Sequence, residues 1–469
     1  MADKKNNNLM AIEEHYDIQS LQYKGDYIWP ILRLKINEEL RNKEGLKSRT
    51  FELGGSMVTK LLRSFFYGLI NVFRINSYSY WIFSSSDRRK KINSKYIDRV
   101  VCSFQEQFPD SLIIENPYPL GRHINKKNMA KGHVMSQTIL FIGAKLISLF
   151  LPQPKISNEE LLLKILRGNK IQLNYRRILK DTMAQYRLMK IILRIARPKA
   201  VFFVYAASSM GYIKAIKEKD IPTIELQHGI INKAHNAYNL NKDFGDQFFP
   251  DYLLTYGEKE LEIFNERNYF IRPDHVFPVG YYFLEESINT KIPDLYEAQL
   301  RSRYKEIIVF SLQDPFDVFT FEFLLKTAAL NKEICYLLVP RNSRKHYPEV
   351  AHVANLIIER HRNIYECLKI ADFHATINST CAIESLYFGV PNLLYDFNNW
   401  AQDYYGEILN DSGHTVFVKS PEQFIETLKH HKFYDKEEIT KKSEAFIKRD
   451  FKANLQRVLE SKILIRNNE

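Results

Sequence analysis

ADFHATINSTCAIESLYFGVPNLLYD, residues Ala371–Asp396, decides how the rest of the chain reads. Its β-rich run FHAT (Phe373–Thr376) ends in Asn378, Ser379 and Thr380. A helix then begins near Cys381, and Gly389 and Pro391 stop it before a second β-rich run, NLLY (Asn392–Tyr395). Two strands separated by a helix cannot pair through a tight hairpin. They lie parallel, with the helix covering one face of their sheet.

The same alternation extends in both directions. Further strands are predicted at Tyr80–Ser84, Ser111–Glu115, Ala200–Tyr205, Thr223–Leu226, Tyr252–Thr255, Ile307–Ser311 and Tyr336–Val339. Helical runs are predicted at Lys95–Phe108, Glu159–Arg197, Gly211–Lys219, Glu258–Asn268, Phe316–Asn331, Cys381–Phe388 and Pro421–His430. Short, fully apolar strands between amphipathic helices indicate an α/β protein with parallel sheets covered on both faces. At about 100–200 residues per domain, 469 residues exceed one sheet domain. Pro273, Pro278 and Gly280 cluster in RPDHVFPVGYYFLEES, which marks a joint near Phe270–Ser287. The expected division is residues 1–270, residues 275–435, and an amphipathic helical tail at 436–469.

Lys and Arg number 67 against 55 Asp and Glu, a net charge of +12. The hydrophobic fraction of 45% excludes a disordered or fibrous chain. Four scattered cysteines make no disulfide framework and no CxxC pair, so neither a zinc site nor a secreted scaffold is expected. The N-terminus, MADKKNNNLMAIEEHYD, has no apolar core of a secretory signal. The run Val134–Leu151 contains Lys145 and falls short of the roughly 20 apolar residues of a membrane span, so it reads as a buried or interfacial helix. The basic balance fits acidic ligands or an anionic membrane surface; no zinc finger, RNP motif or helix-turn-helix pattern points to nucleic acid. LLRSFFYGLINVFRI (Leu61–Ile75) reads as a helix packed on a sheet. Together with Lys436–Leu464 it is also a candidate for membrane docking.

Two segments carry chemistry. In TIELQHGIINKAHNAYN (Thr223–Asn239) a strand ends at Leu226 and turns through Gln227, His228 and Gly229, with His235 on the same loop. Ligands of open α/β sheets bind beyond the carboxyl ends of strands, so His228 is placed to face a cleft. In Ala371–Asp396, Ser379 and Thr380 sit at a helix N-terminus, whose N–H groups, hydroxyls and dipole suit a phosphate. Glu384 follows one turn later, within reach of a ribose. Simple capping is the alternative use of Ser379 and Thr380. Asp87 and Glu115 each follow a predicted strand and are candidate general bases, with ion pairing to Arg88 and Arg89 as the alternative. Ser208 and Ser209, before Gly211, form a possible phosphate or acceptor cradle.

The succession QHG, PDYLLTYGE (Pro250–Glu258), FPVGYYF (Phe277–Phe283), IIVFSLQ (Ile307–Gln313) and NSTCAIESLYFGVP resembles bacterial glycosyltransferases of GT-B architecture. Within them it is similar to the enzymes of capsule, lipopolysaccharide and surface-polysaccharide synthesis. Relatives of these include sialyl- and polysialyltransferases and the polyol-phosphate transferases of teichoic acid synthesis. The likeness covers residues 200–400 best and reaches Gly25–Arg33, Ser84–Asp98 and Ile113–Pro119 less closely. It implies two Rossmann-like domains flanking a cleft, with the acceptor on the first and the nucleotide-sugar donor on the second. Carried over, Asn378, Ser379 and Thr380 hold donor phosphate and Glu384 the ribose, with His228 near the reacting centre. Many relatives carry a His-Pro pair where this chain has Val339, Pro340, Arg341 and Asn342, so Arg341 is the candidate substitute contact. The resemblance implies neither a cofactor nor a bound metal, because the nucleotide sugar is a substrate. It also implies a polysaccharide or lipid-linked acceptor and a cytoplasmic place, peripheral to the inner membrane face. Transfer of a polyol phosphate, and a non-catalytic scaffold of the same fold, remain open alternatives.

Overall fold

The computed structural model describes residues 2–43, 56–92, 95–118, 121–130, 132–233, 235–265, 267–289, 294–313, 317–341, 347–410, 413–430 and 435–464. The chain divides into two compact units. One comprises Asp3–Thr255, Leu261–Tyr282 and Lys452–Glu469; the other comprises Met1–Ala2, Tyr256–Glu260 and Phe283–Phe451. We call them the amino and carboxyl units.

The amino unit is built on seven parallel strands: β1 (Tyr80–Ser85), β2 (Ser111–Asn116), β3 (His133–Ser136), β4 (Ala200–Phe203), β5 (Thr223–Leu226), β6 (Tyr252–Thr255) and β7 (Val276–Pro278). Their order across the sheet is β7-β6-β5-β4-β1-β2-β3. The carboxyl unit has six: β8 (Glu306–Ser311), β9 (Ile334–Val339), β10 (Leu356–Ile358), β11 (Phe373–Thr376), β12 (Asn392–Tyr395) and β13 (Thr415–Val418). These are also all parallel, in the order β10-β9-β8-β11-β12-β13. Each sheet starts in its middle, grows to one edge, then restarts on the other side. This is the doubly wound Rossmann order, with the switch point between β1 and β4 in one unit and between β8 and β11 in the other.

The helices that matter below are α1 (Trp29–Lys43), α2 (Met57–Phe65), α3 (Thr138–Leu149), α4 (Tyr175–Ile192), α5 (Met210–Lys217), α6 (Cys381–Tyr387) and α7 (Trp400–Leu409). Ser56 and Asn174 start α2 and α4 by accepting from the amides of Val58 and Arg177, which satisfies donors otherwise left unpaired at a helix start. Aromatic and branched side chains fill the space under the strands. Phe83 stacks on Phe203 at 4.9 Å and on Tyr212 at 5.7 Å, joining β1, β4 and α5.

All nine predicted strands are present, and among the described residues the two parallel sheets hold four more, where other structure was expected or nothing was assigned. Val134–Leu151 is a strand followed by α3, not one helix. Lys95–Phe108 begins as the return strand of a hairpin with Arg89–Ile92 and turns helical only at Cys102–Gln107. Glu159–Arg197 is two helices, Glu159–Gly168 and α4, separated by a turn in which Lys170 takes φ +53°. Among the described residues, Glu258–Asn268 holds only a 3-10 turn, at Lys259–Ile263. The tail Lys436–Leu464 is broken into Lys436–Lys442, a 3-10 turn, Phe451–Val458 and a terminal π turn. Ile439, Phe446, Ile447, Leu455, Leu459 and Ile463 are all buried, so its apolar positions serve the protein interior. In these segments, periodicity marked the apolar side correctly but gave no sign of where the chain turns.

Candidate functional site

In the carboxyl unit, register brings three strand ends to one level. Ser311 pairs with Val339 and Phe310 with Ala375, so Gln313, Arg341 and Asn378 leave the sheet together. Gln313 lies at the centre of this group. Its Nε2 donates to Ser379 Oγ at 3.1 Å, and its Oε1 accepts from Arg341 Nη1 at 3.3 Å. The chain Arg341–Gln313–Ser379 therefore spans β9, β8 and β11, across the switch point where open sheets bind ligands. Arg341 is exposed and cationic at the rim.

Ser379 is more committed than its sequence position implied. Its Oγ accepts from the Cys381 amide at 3.3 Å, which starts α6. Its own amide donates to the Tyr405 hydroxyl, and that hydroxyl donates at 2.6 Å to the Ser379 carbonyl. Tyr405 comes from α7 and is fully buried, which holds its hydroxyl protonated. Thr380 makes no side-chain cap bond and, like Asn378, is half-buried. Glu384 lies buried one turn into α6. Gln313 and Tyr405 had no role assigned from sequence. Gln313 stood in the quoted run IIVFSLQ, where its position two residues past a strand end was the signal.

In the amino unit, Phe83, Phe203 and Glu225 are in register across β1, β4 and β5. Three residues further lie Ser86, Ala206 and His228, at the C-terminal edge beside the β1/β4 switch point. His228 touches Tyr205 edge-on at 5.7 Å, and its carbonyl accepts from Arg88 Nη1 at 3.3 Å. Its Nδ1 is buried and, among the described residues, has no hydrogen-bond partner; the same holds for His235 Nδ1 and Arg88 Nε. Burial, then the charges of Arg88, His235 and Arg99, hold the His228 pKa well below the ordinary imidazole value. Burial likewise brings His235 down to about 4. Both rings are neutral at physiological pH.

The turn does not depend on glycine: a Cβ on Gly229 would meet open space, and its φ is not left-handed. The turn is held instead by Gln227, whose Nε2 donates to the Gly229 carbonyl at 2.9 Å. The following loop rests on Arg33 of α1, a residue fully buried and paired to Glu13. Arg33 also donates to the carbonyls of Asn236 and, at 2.6 Å, Asn239. Asp87 is exposed at the end of β1.

Glu115 is not at an accessible strand end. It is wholly buried, with one oxygen on Arg89 and the other 2.7 Å from His123 Nδ1. His123 Nε2 in turn meets Ser64 Oγ and Ser136 Oγ, each at 3.0 Å. Both carboxylate oxygens are thus occupied in a network tying α2 to β2 and β3. The Ser208–Ser209 segment also differs from a cradle. Ser208 is exposed, Ser209 is buried at the start of α5, and Gly211 lets α5 cross α4. A Cβ on Gly211 would lie 2.2 Å from the Thr182 carbonyl oxygen. Glu225, unassigned from sequence, is buried below the His228 turn and accepts from the Tyr238 hydroxyl at 2.9 Å. Burial raises its pKa to about 8. Among the described residues no group of His, Cys, Asp and Glu is arranged to hold a metal ion.

The fold and its two strand-edge clusters define a protein of two Rossmann-like units. No protein-family model and no curated protein matches the chain. Solved structures similar to it include the calicheamicin glycosyltransferase CalG4, at 12% identity over 83% of this chain and 99% of that one, with a TM-score of 0.49. A second is the wall teichoic acid polymerase TagF, at 13% identity over 88% of this chain and 100% of that one, TM-score 0.47. A third is the UDP-GlcNAc 2-epimerase from Neisseria meningitidis bound to UDP-GlcNAc, at 10% identity over 81% and 98%, TM-score 0.45.

Proposed function

We propose that the chain is a glycosyltransferase of surface-polysaccharide synthesis, moving a sugar from a nucleotide-sugar donor to a polysaccharide or lipid-linked acceptor at the inner membrane face. The observation that carries this reading is the Arg341–Gln313–Ser379 chain at the β8/β11 switch point. It offers a cation, an amide and hydroxyls at the place where a doubly wound sheet takes a nucleotide. Arg341, Asn378 and Thr380 contact the donor phosphate, and Gln313 and Tyr405 hold Ser379 in place. As the acceptor oxygen bonds to the anomeric carbon, the bond from that carbon to the phosphate oxygen breaks. Negative charge collects on the leaving phosphate, where the Arg341 guanidinium stabilises it. His228, neutral and half-buried beyond the end of β5, takes the acceptor proton, and Asp87 is the second candidate.

One observation favours a second reading, the transfer of a polyol phosphate. Arg88 and Arg99 surround His228 with positive charge, which suits an acceptor that itself carries phosphate. Such an acceptor would also restore the basicity of His228 as it binds. A thermal-shift panel of UDP, GDP, CMP and CDP separates the cases. A ligand at 100 times its Kd stabilises by about 2.7 kcal/mol. A response to UDP or GDP supports sugar transfer, and one to CDP alone supports polyol-phosphate transfer. No response to any of the four refutes the nucleotide site.

A further inference from the structure

Residues 56–77 carry apolar side chains on two sides: Val72 and Ile75 pack inward on the core of the amino unit, and a second apolar row faces outward. Ser64 and Asn71 face inward. Ser64 Oγ lies 2.8 Å from Ser136 Oγ and 2.7 Å from Thr138 Oγ1, and Asn71 Nδ2 donates to the Val134 carbonyl at 2.9 Å. Outward, at roughly helical spacing, stand Val58, Leu62, Phe66, Ile70 and Phe73, the last 79% exposed. These hydrogen bonds, with the packing of Val72 and Ile75, thus fix the orientation that leaves the second apolar row uncovered. Neighbouring α3 and α4 continue the pattern: α2 packs beside α3, and α3 beside α4. Phe141, Leu149 and Phe150 extend outward from α3 and its end, with Phe150 87% exposed, and Ile191 and Ile195 do so at the end of α4. Among the described residues, twelve of the nineteen exposed large hydrophobic side chains belong to these three segments. Exposed apolar groups this concentrated mark a docking surface.

Charge identifies the occupant. Residues 56–77, 138–150 and 175–199 contain twelve Lys or Arg and a single acid, Asp181; Lys145 pairs with Asp181, Arg176 with Glu159 and Lys190 with Glu218, which leaves a net positive face. A groove of about 490 Å³ between α3 and α4 combines both features, with Leu146 and Leu149 beside Arg177, Lys180 and the Lys145–Asp181 pair. We infer that this face of the amino unit docks on a lipid surface bearing anionic headgroups, with the aromatic and aliphatic side chains at the acyl boundary and the basic ones at the phosphates. A second copy of the chain fits poorly, because two such faces would bring like charges together. The inference deepens the proposed function by naming the surface that carries the protein to a membrane-borne acceptor, and it rests on that reading only for its purpose.

The test uses the full chain and vesicles of phosphatidylcholine alone or with about one quarter phosphatidylglycerol. The wild type should sediment with the anionic vesicles and bind the neutral ones at least about tenfold more weakly. Two variants probe the face: Phe66→Ser/Phe73→Ser/Phe150→Ser and Arg63→Glu/Arg74→Glu. Each should lose about tenfold or more in binding to anionic vesicles, with an unchanged melting temperature because the side chains are exposed. If the first variant misfolds, the charge-reversal pair alone decides. Absent binding, binding indifferent to headgroup charge, or variants that bind like wild type would overturn the inference. So would a wild-type dimer that the same substitutions dissociate. The nucleotide panel on the same samples reads the donor site separately, so failure of docking and failure of the enzymatic reading cannot be confused.

Discussion

His228 and Glu225 sit three residues apart and are perturbed in opposite ways, both chiefly by loss of water, with the charges of Arg88, His235 and Arg99 adding to the effect on His228. Burial keeps the imidazole neutral by lowering its pKa and keeps the carboxyl neutral by raising it to about 8. His228→Ala should therefore lower turnover about 100-fold while changing stability by less than about 0.5 kcal/mol, checked by steady-state kinetics beside thermal melts. Retained activity would pass the proton-acceptor role to Asp87. Glu225 gives a pH signature instead. Its unfolded carboxyl ionises near 4.5 and its folded one near 8, so between those values the folded state holds the extra proton. Stability from this group is complete below pH 4.5 and declines as pH rises toward 8, by up to about 1.4 kcal/mol per unit. Glu225→Gln keeps an acceptor for Tyr238 and cannot ionise, so its melting temperature should fall less than that of wild type between pH 5 and 8.

At the scale of elements, the loop after β5 depends on α1. Arg33 and Glu13 are each about 2% exposed, and Arg33 also holds two loop carbonyls. Arg33→Ala leaves a carboxylate buried without its partner, at a cost of about 3–5 kcal/mol. A double variant with Glu13→Leu and Arg33→Met removes both charges and should unfold at a higher temperature than Arg33→Ala. If the single variant proves as stable as wild type, α1 is not the support of that loop. The crossing of α4 and α5 is tighter still. Gly211→Ala drives a methyl group into the Thr182 carbonyl and should cost about 1–3 kcal/mol in chemical denaturation. Sequence reading had grouped Gly211 with Ser208 and Ser209 as a ligand cradle. A glycine needed for packing and one needed for a phosphate look alike until the neighbouring helix is seen.

For the whole molecule, the two units separate two kinds of defect. Arg341→Ala and Thr380→Ala remove contacts assigned to the donor in the carboxyl unit. Both should raise the donor KM and reduce the nucleotide thermal shift more than they reduce kcat. His228→Ala in the amino unit should lower kcat with the nucleotide shift intact. If Arg341→Ala left nucleotide binding unchanged, the guanidinium would be a rim charge, and the phosphate contact would rest on Asn378 and Thr380.

The sequence by itself determined the layer architecture, because a parallel strand covered on both faces is mostly apolar and each crossover needs a helix. Such a pattern was visible in AVFF and, with one or two polar residues each, in FHAT, NLLY and TIEL. It also placed His228 and Ser379 past strand ends, because strand ends are local features. Tertiary structure alone decided which strand ends share a level, and so that Gln313 joins Arg341 to Ser379 over sequence separations of 28 and 66 residues. It closed Glu115 into a buried network with Arg89 and His123, where sequence left a carboxylate beyond a strand. It also left the row of Val58, Leu62, Phe66, Ile70 and Phe73 facing outward while Val72 and Ile75 pack inside. Amphipathicity says only that two faces differ. Which face meets water depends on where Ser136, Thr138 and Val134 wait to pair with Ser64 and Asn71.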